Sequence, residues 1–390
     1  MENFIYNNRT EIIFGKDTQK EVGMHLQKRG SKKVLLHYGG GSIKRNGVYD
    51  DVIKSLNEHN IEYVELGGVE PNPDIDLARE GSRLVKEHGL DFVLAVGGGS
   101  VIDSAKAISM GSKYDGDVWD FYVNKAVPTE FLPVATILTI PATGSESSTS
   151  TVLSNRELSM KRGLNHIEIR PIFSILNPET CYTLPVNQIA YGVTDIIAHI
   201  FERYFTNVNY TKITDVMAEG WMKVLINEVD ILLKDKTDYD AWAEVMWGGT
   251  LAHNRLLDCG RIGCWGSHRI EHEISAIYPE VAHGAGLAVV FPAWMKYVYK
   301  SNIDIFVQFA VNVFGVDVNM RNQEAIALEG IARLEKFYEG MGLSTNLKDL
   351  GVKESDFEIM AEKAVMFGDI GEFVKLSKND IVEIFKIAYK

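Results

Sequence analysis

Apolar runs that end at glycine alternate with segments of helical period along the first half of the chain. Residues 32–38 carry Val-Leu-Leu-His-Tyr after two lysines and stop at Gly39-Gly40-Gly41-Ser42. Residues 91–96 run directly into Gly97-Gly98-Gly99-Ser100. Continuous apolar runs of this length read as strands covered on both faces. Further strands are expected at 61–66, 132–140 and 170–178, with one or two short ones over 4–14. Between them the period changes to 3.6: Val22 and Leu26 share a face, as do Val48, Val52 and Leu56, and a third helix is expected from Ile75 to His88. Strands alternating with helices of that length specify parallel pairing with helices on both sides of the sheet.

From Pro185 onward the strand signal disappears. Helical patterns cover 186–205, 211–233, 239–254 and 303–314. The expected fold is an α/β N-terminal domain with a parallel, Rossmann-like, doubly wound sheet over 1–182, followed by an all-α domain over 183–390. No internal repeat or low-complexity tract interrupts either half.

Composition narrows the class of partner. The 390 residues have a formal charge of −13, which disfavours nucleic acid and anionic membrane, whose phosphates call for basic patches. Three cysteines without a C-x-x-C spacing signal neither a disulfide framework nor a thiolate metal knot. The first ten residues lack the pattern of a secretory signal, and no apolar stretch reaches the length of about 18 residues that spans a bilayer. A cytoplasmic enzyme is expected.

Chemistry enters at the glycine turns. Gly97, Gly98, Gly99 and Ser100 lie where a parallel strand gives way to a helix, so backbone amides and the positive end of the helix dipole can approach a phosphate. The turn is not G-x-G-x-x-G, and a ligand-free tight turn is the alternative. Gly39, Gly40 and Ser42 stand where the ribose of a dinucleotide would be read. These residues are small and hydroxylated and Lys44 and Arg45 follow, which suits a 2′-phosphate and hence NADP(H). Thr139, Thr143 and Ser145 offer hydroxyls at another strand end, and Lys161 is a cation near the same rim.

In the second half, Asp195 and His199 are spaced i, i+4 on an apolar helix and so share a face. His268, His272 and His283 follow downstream. Convergence of Asp195, His199, His268 and His283 would give one carboxylate and three imidazoles, a ligand set for Fe²⁺ or Zn²⁺. Such an ion polarises a carbonyl or stabilises an alkoxide, which is what hydride transfer needs. Two other parses stay open here: a hydrogen-bonded buried pair, and an H-x-x-E-H metallopeptidase motif at His268-x-x-Glu271-His272.

The GGGS turn with Asp103, the run Thr139-Ile-Pro141-Ala-Thr143-Gly144-Ser145-Glu146, Asp195-x-x-x-His199, and His268-x-x-x-His272 with His283-Gly284 together resemble the iron-containing, or group III, alcohol dehydrogenase family. The likeness, strongest to its NADPH-dependent butanol dehydrogenase branch, runs over nearly the whole chain. It implies that Asp195, His199, His268 and His283 hold the metal while His272 faces nicotinamide and substrate. It also implies that Gly97 to Ser100 hold the pyrophosphate, that Thr139 and Thr143 line the nicotinamide, and that Lys161 reaches its ribose. NAD-preferring members carry an aspartate at the position of Gly39, so glycine there agrees with NADP. The resemblance further implies an active site in a cleft between the two domains, a primary alcohol such as butanol or its aldehyde as substrate, and a homodimer paired partly through segment 4–14. Dehydroquinate synthase shares the scaffold and would be a non-redox lyase. Its sugar-phosphate substrate calls for several cations around the metal, where this chain has Ile262, Cys264 and Trp265 with only Arg261 and Arg269.

Overall fold

The computed structural model describes residues 1–319 and 322–390. The chain forms two compact units. One comprises residues 7–184 and 236–254, the other residues 1–6, 185–235 and 255–390. Among the described residues no helix is long and apolar enough to cross a membrane.

The first unit is built on eight strands: β1 (Glu11–Phe14), β2 (Lys33–Gly39), β3 (Glu62–Val69), β4 (Phe92–Gly98), β5 (Val134–Ile140), β6 (Ser150–Asn155), β7 (Met160–Asn165) and β8 (Phe173–Leu176). Six of them form a parallel sheet in the order β1-β8-β5-β4-β2-β3, while β6 and β7 make a separate antiparallel hairpin. Val34, Leu36, Leu94, Val96, Ile137 and Ile175 are fully buried against Val22, Leu26, Val52 and Leu56 of the helices Val22–Lys28 and Val48–Glu58. The helices Ile75–His88, Gly99–Gly111 and Tyr239–Ala252 also belong to this unit, the first of them capped by Asp74 and stopped by Gly89 in the left-handed conformation.

The strand order positions the first part of the site. From β2 the chain steps outward to β3, then returns to place β4 on the opposite side of β2. This reversal opens a crevice at the carboxyl ends of β2 and β4, the place where open parallel sheets take ligands. Gly39 closes β2 and Gly98 closes β4, so both glycine turns stand at that crevice.

Of the one or two short strands expected over 4–14, one is present, Glu11–Phe14, paired with β8 from Phe173 to Leu176. The hairpin of β6 and β7 was not expected, since its sequence is mostly polar and lacks a clear apolar alternation.

The second unit is helical among the described residues. Its central helix, Val186–Tyr204, is buried along almost its whole length from Ile189 onward. Phe201 packs on Phe291 at 5.3 Å between ring centroids, and Phe205 stacks on Phe306 at 4.8 Å, with Trp294 beside them. Aromatic packing of this kind adds to area burial and holds the helices His283–Val298 and Ile303–Asn312 in place.

Candidate active site

The phosphate-side features lie in the sheet unit. Gly98 is extended and precedes the helix Gly99–Gly111 without any side-chain cap, so the first amides of a thirteen-residue helix face the crevice without a side-chain acceptor. A Cβ on Gly99 would stand 2.3 Å from Thr143 Oγ1 and 2.9 Å from Thr143 Cβ, and one on Gly97 would meet the Val101 side chain at 2.5 Å. Glycine is therefore required for this strand-to-helix turn to close under Thr143. Gly39 is half-buried, while Gly40 and Ser42 are exposed, Ser42 opening the short helix Ser42–Arg45.

Asp103 and Thr143 belong to one polar network. Ser145 Oγ donates to Asp103 Oδ1 at 2.5 Å and the Val152 amide to Oδ2 at 3.0 Å, so this carboxylate ties the helix to the loop that carries Thr143. Lys106, one turn later and fully buried, donates to Ser145 Oγ, Ser148 O, Ser148 Oγ and Ser150 O at 2.8–3.2 Å. Burial pushes its ammonium down to about 7 against the pull of Asp103 and Glu146. From the other side His253, at the end of the helix Tyr239–Ala252, bonds Thr143 O at 3.0 Å, and Thr250 donates to Glu146 at 2.6 Å. Lys106 and His253 had no sequence motif of their own, and Glu146 was read only as the end of the Thr139–Glu146 run. Thr139 is buried on β5, and Lys161 is buried on β7 opposite Ser154.

The metal-side features lie in the helical unit. Asp195 and His199 project from one face of Val186–Tyr204, and His268 comes from the helix Gly266–Ile277, their ligand atoms lying within 4.8 Å of one another. Asp195 Oδ1 is 3.7 Å from both His268 Nε2 and His283 Nε2. His283 starts the helix His283–Val298; a Cβ on Gly284 would stand 2.3 Å from Tyr191 O, so glycine lets that helix approach the central one.

Every imidazole of this group has its Nδ1 engaged. His199 Nδ1 bonds the Asp195 carbonyl at 2.8 Å, His268 Nδ1 bonds Glu202 at 2.8 Å, and His283 Nδ1 bonds Glu271. Acceptors at Nδ1 place the hydrogen there and leave Nε2 as the ligating nitrogen, which in His268 and His283 faces Asp195 Oδ1; this is how outer carboxylates and carbonyls prepare histidines for a metal. Asp195 Oδ1 and His268 Nε2 are buried and make no hydrogen bond, a costly state unless something else satisfies them.

Electrostatics agree with a site for positive charge. Burial would raise the Asp195 carboxyl, yet His199, His268 and His283 hold it well below the usual range. Burial pushes His199 down to about 3, so its ring is neutral. Burial opposes charge on His268 as well, but the nearby carboxylates of Asp195 and Glu202 push it up to about 9. A buried imidazole that draws a proton between two carboxylates marks a place where a cation is wanted. The donor set of Asp195, His199, His268 and His283 thus fits a divalent ion.

His272 stands apart from Asp195 and His199. It is half-buried, groups with Glu271 and His283, and its ring centroid is 5.6 Å from that of His283. Glu271 is buried and occupied by Ser275 and His283, which removes it as the base that the H-x-x-E-H parse requires. Trp265 was not singled out as part of the site by its spacing. It adopts the left-handed conformation at φ 58°, rare for a bulky residue, and packs at 5.4 Å from the His268 ring and under Arg203 at 4.6 Å. Arg261 is engaged with Asp215, Thr211 and Arg203 O and so is not a free cation for a sugar phosphate.

Residues 9–178 match the family described as iron-containing alcohol dehydrogenase, and residues 189–389 match the C-terminal part of the Fe-containing alcohol dehydrogenase family. The NADH-dependent butanol dehydrogenase A of Clostridium acetobutylicum is 41% identical over 392 residues, covering 100% of both chains. The NADPH-dependent aldehyde reductase YqhD of Escherichia coli (strain K12) is 34% identical over 366 residues, 93% of each chain. The crystal structure of NADH-dependent butanol dehydrogenase A from Thermotoga maritima superposes with a TM-score of 0.97 at 40% identity, covering 100% of this chain and 99% of that one. The chain belongs to the iron-containing alcohol dehydrogenase family and is an enzyme of the alcohol dehydrogenase type, for which a metal and a nicotinamide cofactor are implied.

Proposed function

We propose that the enzyme interconverts a primary alcohol such as butanol and its aldehyde with NADP(H), using a divalent ion, Fe²⁺ or Zn²⁺, held by Asp195, His199, His268 and His283. The observation that carries the metal assignment is the pair of carboxylate acceptors at Nδ1 of His268 and His283, which leaves their Nε2 atoms each 3.7 Å from the orphaned oxygen of Asp195, with His199 in the same cluster. A divalent ion supplies Lewis acidity toward a carbonyl or alkoxide oxygen when bound.

The chain's own residues have separate tasks in this reading. Amides at the start of Gly99–Gly111 bind the pyrophosphate, and the Asp103 and Lys106 network holds Thr143 over them. Thr139 lines the nicotinamide side and Lys161 its ribose. Glu202 and Glu271 orient His268 and His283. His272 holds the proton that aldehyde reduction takes up in addition to hydride, passing it from a ring nitrogen to the product oxygen directly or through water. Trp265 excludes water beside His268.

The preference for NADP(H) rests on Gly39, Gly40 and Ser42 at the ribose position, with Lys44 and Arg45 behind them. Relatives named for NADH and for NADPH both resemble this chain, so local chemistry rather than kinship supports the choice. The reading includes a cytoplasmic homodimer, supported by β1 at the sheet edge and by Phe4 and Ile5 exposed ahead of it.

The test is the oxidation of NADPH with butanal by enzyme stripped with chelator and then given Fe²⁺ or Zn²⁺. Turnover restored by an ion and stronger with NADPH than with NADH supports the reading. Turnover that needs no metal, or that uses NADH alone, refutes it.

A further inference from the structure

Lys44, two residues after Ser42 in the short helix Ser42–Arg45, is held by three side chains from β2, β3 and the following helix. Its Nζ lies 4.9 Å from the Tyr38 ring centroid, 4.4 Å from that of Tyr49 and 3.6 Å from Glu65 Oε2. Tyr38 donates to Glu65 Oε2 at 2.7 Å and Tyr49 to Oε1 at 2.8 Å, so both carboxylate oxygens are fixed. Gly67 makes this possible: a Cβ there would stand 2.6 Å from the Tyr38 ring, which lies across the bare backbone to reach Glu65. Burial would raise the Glu65 carboxyl, but the two tyrosine hydroxyls and Lys44 bring it below the ordinary range, so it is ionised at neutral pH.

Two charges of opposite sign therefore stand beside a turn expected to meet a 2′-phosphate. Lys44 attracts that group and Glu65 both repels it and occupies its cation. Acidic residues near this ribose position favour a free 2′-hydroxyl.

We propose that Glu65, fixed by Tyr38 and Tyr49, sets the NADP-to-NAD preference of this enzyme by competing with the cofactor's 2′-phosphate for Lys44. The inference rests on the reading that Gly39, Gly40 and Ser42 receive the adenosine ribose. Glu65 is a specificity-determining residue that acts through Lys44. Glutamine at this position keeps the shape and the hydrogen-bonding reach toward both tyrosines while removing the charge.

Dissociation constants for NADPH and NADH, read from nicotinamide fluorescence on the metal-loaded enzyme, test this in the parent, Glu65→Gln, Lys44→Met and the double variant. Glu65→Gln is expected to tighten NADPH about fivefold, in the range of partly exposed charge pairs, and to leave NADH unchanged. Lys44→Met is expected to weaken NADPH, and in its background the effect of Glu65→Gln should shrink to its direct repulsion alone. If Lys44→Met leaves NADPH binding unchanged, the placement of the 2′-phosphate at Lys44 fails and this inference with it. If Lys44→Met weakens NADPH but Glu65→Gln weakens it too, or shifts both cofactors equally, the inference alone is overturned. The ratio of the two constants is readable whichever cofactor the parent prefers.

Discussion

Glu202 accepts two hydrogen bonds from one residue, His268: the backbone amide at 3.0 Å and the ring Nδ1 at 2.8 Å. The two bonds lock both the position and the tautomer of the imidazole, and His268 is held although 66 residues separate it from Glu202. Glu271 accepts from the ring Nδ1 of His283 across 12 residues and so fixes its tautomer.

Replacing Glu202 by Gln keeps the volume but lets an amide N–H face Nδ1. Metal affinity should fall about 10- to 100-fold, the usual effect of losing an outer-shell partner. Competition with a fluorescent zinc chelator measures it, and an affinity equal to the parent's would show that Glu202 does not orient a ligand.

Gly99→Ala places a methyl group 2.3 Å from Thr143 Oγ1. Relief requires Thr143 or the turn to move, at a cost of about 1–3 kcal/mol typical of overpacking. The expected result is a higher KM for NADPH with bound metal unchanged, read from initial rates and metal analysis. Loss of metal instead would place the damage elsewhere.

His272→Ala should lower turnover about 100-fold, the lower end of a general acid's contribution, and remove one limb of the pH–rate profile. Metal content should match the parent's, because His272 does not join Asp195 and His199. A variant with the parent's rate and pH profile would end the proton-donor role.

His37 provides a pH-dependent part of the stability. It is fully buried, and burial pushes its imidazole from the ordinary 6.5 down to about 4, although the bond to Leu66 O at 2.8 Å works the other way. Between those values the unfolded chain takes up a proton that the folded one does not. Stability from this group is therefore complete above pH 6.5 and is lost as pH falls toward 4, by about 3 kcal/mol. Urea unfolding at a series of pH values should show this slope in the parent and a shallower one in His37→Gln. Equal slopes would mean that His37 is not the group responsible.

Several parts of the site were legible before any coordinates, because they are written in local patterns. The i, i+4 spacing of Asp195 and His199 needs only a helix to bring both side chains to one face. The glycines at 97–99 need only a strand and a helix on either side. The hairpin that carries Lys161 was not legible, since β6 and β7 are polar and their pairing depends on contacts outside the segment.

What the sequence by itself determined was therefore the order of strands and helices, the two glycine turns, the inventory of possible ligands and the family. Tertiary structure alone decided which groups complete them. The helix Tyr239–Ala252 follows the first helical segments in sequence, yet it packs in the sheet unit and grips the Thr143 loop through His253. Lys106 became a buried tie, Glu202 and Glu271 became the partners of His268 and His283, and Lys44 came under the control of Glu65. The physical reason is range. Periodicity and turn chemistry act over a few residues and can be read along the chain, whereas a hydrogen bond between residues many tens of positions apart exists only after packing has brought them together.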